Sequence, residues 1–184
     1  MALVNLTGIQ PTQYTELASD TSPAEGEVVL VPFDRLAEES EAFFQTVGRV
    51  GVLVGTETTF SALEPFANKI SFVAIDFPAF GDGRGFSLAV RLRKDYGFKG
   101  EIRAVGNIIP DQAQFLMRAG FDSVEATEER KTAFETALKR FPSYYQTDAI
   151  GLGQRSVAHV RHSAKNDDNT DAADTAKEGQ RKAS

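Results

Sequence analysis

The chain has 184 residues, 41% of them hydrophobic, enough for the core of one domain. Twenty Lys and Arg against 26 Asp and Glu leave a formal charge of -6, which argues against a nucleic-acid binder, since phosphate recognition usually needs a basic face. The chain has no Cys, which excludes disulfides, thiolate nucleophiles and Cys-type zinc or iron–sulfur sites. Its two His, His159 and His162, fall in the last segment, so a Ser-His-Asp triad would need that segment to fold back.

The opening Met1-Ala2-Leu3-Val4-Asn5-Leu6 has neither the basic start nor the apolar length of a signal peptide. No stretch approaches the roughly 20 apolar residues of a membrane span. These features predict a soluble, cytoplasmic protein with neither nucleic acid nor membrane among its partners.

Residues 1–26 carry the breakers Gln10-Pro11-Thr12 and Thr21-Ser22-Pro23 and little periodicity, which predicts an extended arm or short hairpin laid over the domain. Residues 27–148 read as one α/β domain. Its strands are Val28–Val31, Val50–Val54, Ile70–Ile75, Glu101–Val105 and Ser123–Glu125. Between them fall helices over Asp34–Thr46 (Leu36, Ala37, Phe43 and Phe44 near one face), Ser87–Tyr96 (Leu88, Ala89, Leu92 and Tyr96 inward) and Asp111–Ala119. A short helix begins at the capping box Ser61-Ala62-Leu63-Glu64, with Phe60 as its staple. The last helix covers Glu128–Phe141, with Phe134, Ala137, Leu138 and Phe141 inward. Tyr96-Gly97-Phe98 and Ala119-Gly120-Phe121 are helix stops in which Gly takes the left-handed conformation and Phe packs back on the last turn. Residues 149–184 lack aromatics and hold the polar run Asn166–Asp171, which predicts a disordered tail.

Near-continuous apolar strands alternating with helices predict parallel strands covered by helices. A five-stranded, doubly wound open sheet is the expected fold; part of a (β/α) barrel is the rival, because a sequence does not show whether a sheet closes.

Ligands of such sheets bind outside the carboxyl ends of the strands. The richest loop there is Asp76–Ser87, with Gly81, Gly83 and Gly85 at alternate positions, where positive φ and close backbone approach would suit an anion at the following helix start. The spacing misses the dinucleotide fingerprint, and no Walker Lys follows. Arg84 at the positive helix end calls for a negative partner: Asp82 or Asp76 in an internal ion pair, or a bound oxyanion. The carboxylates also admit a metal reading, but no metal site is expected. Arg103, alternating with Glu101 on one strand face, either pairs with Glu101 at an exposed strand start or reaches the pocket beside Arg84. Asn107 ends that strand at the ligand edge. The candidate ligand set is thus Asp76, Asp82, Gly83, Arg84, Ser87, Arg103 and Asn107, with no catalytic residue or cofactor assigned. His159-Val160-Arg161-His162 has metal-compatible spacing only if helical, and reads as solvated tail.

Phe80, Asp82-Gly83-Arg84-Gly85-Phe86-Ser87, Leu92-Arg93, Gly100–Gly106 and Arg118-Ala119-Gly120-Phe121-Asp122 together resemble the bacterial domain-of-unknown-function family numbered nine hundred thirty-four, over roughly Val28 to Gln146. That family's genes often lie beside those of siroheme sulfite reductase and phosphoadenosine-phosphosulfate reductase, and some members are labelled probable oxidoreductases in sulfite reduction. The resemblance implies a role in sulfur assimilation. An Asp often follows the equivalent of Gly106 in the family, where this chain has Asn107, which weakens any metal role. Three functions follow as expectations. The first is an accessory protein of assimilatory sulfite reduction that binds a sulfur or phosphate oxyanion or docks on the reductase subunit. The second is an oxidoreductase binding flavin or a nucleotide phosphate. The third is an interaction module anchored by Phe77, Pro78, Ala79 and Phe80.

Overall fold

The computed structural model describes residues 1–18 and 21–140. The expected tail, the two His and Phe141 lie outside these residues. Seven strands form one sheet, not five: β1 (Ala2–Asn5), β2 (Thr15–Glu16), β3 (Val28–Pro32), β4 (Arg49–Gly55), β5 (Phe72–Phe77), β6 (Glu101–Gly106) and β7 (Ser123–Ala126). The two additional strands come from the opening segment and occupy the two edges. β1 pairs antiparallel with β7, Ala2 opposite Ala126, while β2 adds in parallel to β3.

The order β1-β7-β6-β5-β4-β3-β2 overturns the doubly wound expectation. From β2 to β7 each strand lies beside the next in sequence, and the order never reverses. Crossovers of one hand then put every helix on the same face. The result is a curled, mostly parallel half-barrel, the rival reading. The side chains agree with this geometry. Alternate strand residues Val29, Val31, Val52, Val73, Ile75, Ile102 and Val124 enter one large core with the helices. Their neighbours Leu30, Phe72 and Ala74 form a second cluster with Tyr14, Val28, Leu53 and Val105, to which no helix among the described residues contributes.

Among the described residues six helices cover the outer face: α1 (Phe33–Glu38), α2 (Glu41–Thr46), α3 (Phe60–Leu63), α4 (Arg84–Lys94), α5 (Ala113–Ala119) and α6 (Glu128–Arg140). The helix expected over Asp34–Thr46 breaks at Glu39-Ser40, where both residues are extended. Glu38, Glu39 and Glu41 crowd like charge there, and Ser prefers a helix start to an interior. Leu36 and Phe43 are buried, Phe44 is half-buried, and Ala37 faces solvent. Thr59, not Ser61, caps α3, its hydroxyl accepting from the Ala62 amide at 3.4 Å. α4 starts at Arg84, three residues before the expected Ser87. A single turn of 3-10 helix over Pro110–Gln112 precedes α5.

Both glycine stops form as expected. Gly97 and Gly120 have φ of 70° and 105°, and the Phe98 and Phe121 amides donate back to Leu92 and Leu116 oxygens at 2.9 and 3.0 Å. One arginine gathers the two stops. Arg93 donates from Nε to the Gly120 oxygen (2.9 Å) and from Nη1 to the oxygens of Phe98 (2.7 Å) and Gly100 (2.8 Å). Its Nη2 pairs with Asp122. Asp122 also accepts the Ile102 amide at 2.9 Å and the Thr7 hydroxyl at 3.2 Å. Arg93 and Asp122, two residues of the family-like pattern, thus hold the lower end of the sheet together.

Candidate functional site

The carboxyl ends of β4, β5 and β6 form the upper rim, where ligands of barrel-type sheets bind. Asn107 joins two of its loops, its amide donating to the Phe77 oxygen (2.8 Å) and its Nδ2 to the Pro78 oxygen (2.7 Å). Asp82, buried to 14% side-chain exposure, accepts Arg84 Nε at 2.9 Å and Nη2 at 2.7 Å, the Arg84 amide at 3.2 Å, and the hydroxyl of buried Thr56. These hydrogen bonds, from Arg84 first and then Thr56, hold the Asp82 carboxyl far below the usual carboxylate range, and the pair raises Arg84 in turn. Arg84 remains 65% exposed, and its Nη1 has no partner among the described residues.

The glycine loop is not a cradle. Gly81, Gly83 and Gly85 are absent from the positive-φ glycines, and a Cβ on Gly81 or Gly83 would meet open space. Only Gly85 is required by packing, since its Cβ would come 2.6 Å from the Phe77 ring. That close approach seats α4 on β5 and joins Phe77, Phe86 and Phe121 in one aromatic cluster, with ring centroids 5.2 to 6.2 Å apart. Two acidic groups act on Arg84, Asp82 and Glu57. Besides Asp82, the Glu57 carboxylate lies against Gly55, and Gly55 pairs in register with Asp76. The Asp76 carboxylate sits over Gly106, which at φ 90° leaves room for it.

The sequence-derived set therefore separates. Asp76, Asp82, Gly83, Arg84 and Asn107 share the rim, and Ser87 lies exposed on α4 with no hydrogen bond to the cluster. Arg103 does not join them. It is opposite Ala74, 4% exposed on the inner sheet face, and donates to Glu101 at 2.9 Å and to the Thr12 oxygen at 2.6 Å. Glu101 is buried too, contrary to an exposed strand start, because the opening segment crosses above it. Its carboxylate accepts Ser123 Oγ (2.5 Å) and the Thr12 amide (2.6 Å), and the Arg103 guanidinium lies 4.8 Å from the Tyr14 ring centroid. Burial alone would push Glu101 up; the hydrogen bonds from Ser123 and Thr12 and the charge of Arg103 outweigh it and hold the carboxyl below its ordinary value. No group of three or more metal-capable side chains forms among the described residues.

A second feature lies on the helix side. A cavity of about 490 Å³ opens between α4 and α5, floored by Phe86, Val90 and Ala119. At its upper end, Gln112 donates to the Phe80 oxygen at 3.4 Å, and Lys94 and Arg118 line the lower end. Phe80 and Phe115 stand on its walls, 59% and 61% exposed, the two bare aromatic rings among the described residues. Phe77, expected to share the anchor with Phe80, is buried instead. Phe115 escaped the sequence reading, although a signal was present. Ala113, Leu116 and Met117 make the inward stripe of α5, and Phe115 falls off it.

Among the described residues no helix is long and apolar enough to cross a membrane. No curated protein matches the chain. Residues 51–152, more than half of it, match the family described as Bacterial protein of unknown function (DUF934), and the chain belongs to that family.

Proposed function

We propose that this is an accessory protein of assimilatory sulfite reduction, working in the cytoplasm, that docks on a protein of that system, with the sulfite reductase subunit as first candidate. The observation that carries the docking part is the pair Phe80 and Phe115, more than half exposed on one cavity. Contiguous bare apolar surface is disfavoured on a free chain, and aromatic side chains are the usual anchors of an interface. The pathway reading is supported by the family resemblance alone, through the sulfite-reduction genes beside which the family's genes often lie. A deletion strain tests it on sulfate, sulfide and cysteine. Growth should fail on sulfate alone and return with the wild-type gene, but not with Phe80→Ala/Phe115→Ala, whose folding is checked by circular dichroism. Normal growth of the deletion strain on all three, or rescue by the double variant, rejects the reading.

A second reading is favoured by one observation at the upper rim, the exposed Arg84 whose Nη1 has no partner among the described residues. A sulfur or phosphate oxyanion would be held there, weakly, because Asp82 and Glu57 oppose it. Sulfite, sulfate or an adenylyl-phosphosulfate compound at millimolar concentration should raise the melting temperature of the wild type and not of Arg84→Ala; an equal response of the two removes the site.

A further inference from the structure

We propose that the inner sheet face is a docking surface for this chain's own basic segment, residues 149–166, whose cations meet the carboxylates of Glu16, Asp76 and Glu125. A mostly parallel sheet is normally covered on both faces. Helices cover the outer one, while on the inner one the opening segment is held over Glu101 and Arg103 through Thr12. Val28, Leu53, Val105 and Tyr14 remain half-buried around Leu30, Phe72 and Ala74. The charge of this face is one-sided. Glu16, Asp76 and Glu125 stand in register with Leu30, Val105 and Leu3, and no ion pair engages them among the described residues. Arg103, on the same face, is buried and held by Glu101. The complement lies in the chain itself, outside the described residues. Although the whole chain carries -6, residues 149–166 contain Arg155, Arg161 and Lys165, with His159 and His162 between, and no Asp or Glu. Ile150, Leu152, Val157 and Val160 give the same segment apolar side chains. An apolar, cationic segment matches an apolar, anionic face. The segment also begins within reach. α6 ends at Arg140 and packs against β1, the edge strand whose Leu3 belongs to the inner face. Residues 141–148 span roughly 26 Å when extended, enough to pass round that edge. A second copy is a poorer occupant, because it would set the same carboxylates against one another. The inference does not depend on docking at Phe80 and Phe115, which stand on the helix side.

The chain has no Cys, so a nitroxide attached through Ala158→Cys in the full chain marks this segment alone. Paramagnetic broadening should take most of the intensity from the Leu53 and Val105 methyl signals, and less from Val90 on the groove floor. Arg155→Glu/Arg161→Glu in the labelled chain should return that intensity, as should added salt. Glu125→Lys, its folding checked by circular dichroism, should do the same from the other side of the contact. Strongest broadening at Val90, no broadening of the inner face, or broadening there that survives the Arg155→Glu/Arg161→Glu reversal overturns the proposal. Broadening of an isotope-labelled, nitroxide-free chain by a spin-labelled copy mixed with it makes a second copy the occupant and overturns it too. None of these results bears on the groove, whose docking the growth test decides.

Discussion

Two arginine–aspartate pairs stand at opposite ends of the sheet, and their surroundings give them opposite roles. At the lower end Arg93 and Asp122 are 10% and 5% exposed, and every guanidinium nitrogen and both carboxylate oxygens are engaged: three carbonyls on the arginine, an amide and a hydroxyl on the aspartate. At the upper end Asp82 orients Arg84, but the guanidinium stays largely in water. A buried charge must be completely satisfied, so the lower pair can only be structural. An exposed pair contributes little to stability and is free to exchange partners. Position in the family-like pattern does not separate the two; the number of bonds each arginine makes to backbone does.

The comparison breaks most easily at the lower pair. Arg93→Ala leaves Asp122 buried without its cation and strips donors from the Phe98, Gly100 and Gly120 carbonyls, so a loss of about 4 kcal/mol or more is expected in urea unfolding. Arg93→Lys keeps the charge but not the planar fork and should cost roughly half as much. A loss for Arg93→Ala no larger than that for Arg91→Ala, an exposed pair on the same helix, would remove the distinction.

The inner-face pair is an intermediate case and sharpens it. Glu101→Gln leaves Arg103 buried beside a neutral group, costing about 2–3 kcal/mol. The pH dependence carries a sign. Glu101 is depressed in the folded state, so its contribution is fully present above the unfolded carboxylate pKa of about 4.3 and is lost as pH falls through the lower folded value. Tyr14, which lies over Arg103 and stacks on Phe72 at 5.4 Å, is raised, chiefly by burial. Its contribution is present below the unfolded value of about 10 and is lost as pH rises through the folded one. Unfolding curves between pH 3 and 11 should slope down at both ends, and Glu101→Gln should flatten the acid limb alone.

The fold was largely legible where burial is two-sided. β3 to β5 read as apolar runs because both their faces are buried, one under the helices and the other in the inner cluster. The edge strands were not, since Thr15–Glu16 is too short for any periodicity and Ala2–Asn5 is only four residues long. Strand order was not legible either, because singly and doubly wound sheets use the same strand and helix patterns. Arg103 and Glu101 were correctly seen to share a face, but which face the opening segment covers is a tertiary fact. The three rim glycines drew attention by composition, although only Gly85 is needed, and for packing. Phe115 was missed because an off-stripe apolar residue acquires meaning only when Phe80 is seen across the groove.

The smallest expected effect belongs to the upper pair, and it is the one that bears on function. Arg84→Ala should leave the melting temperature within error of wild type, because the guanidinium is in water and its partner keeps the Thr56 hydroxyl. Asp82→Asn separates the two uses of that arginine. If Arg84 only braces the turn, the substitution removes the brace and sulfite has no effect on either protein. If Arg84 meets an oxyanion, removing the competing carboxylate strengthens sulfite's effect on the melting temperature above wild type, and the gain fades with added salt. Equal, salt-independent responses of wild type and Asp82→Asn would leave the upper arginine with no ligand role and confine function to the groove on the opposite side of α4.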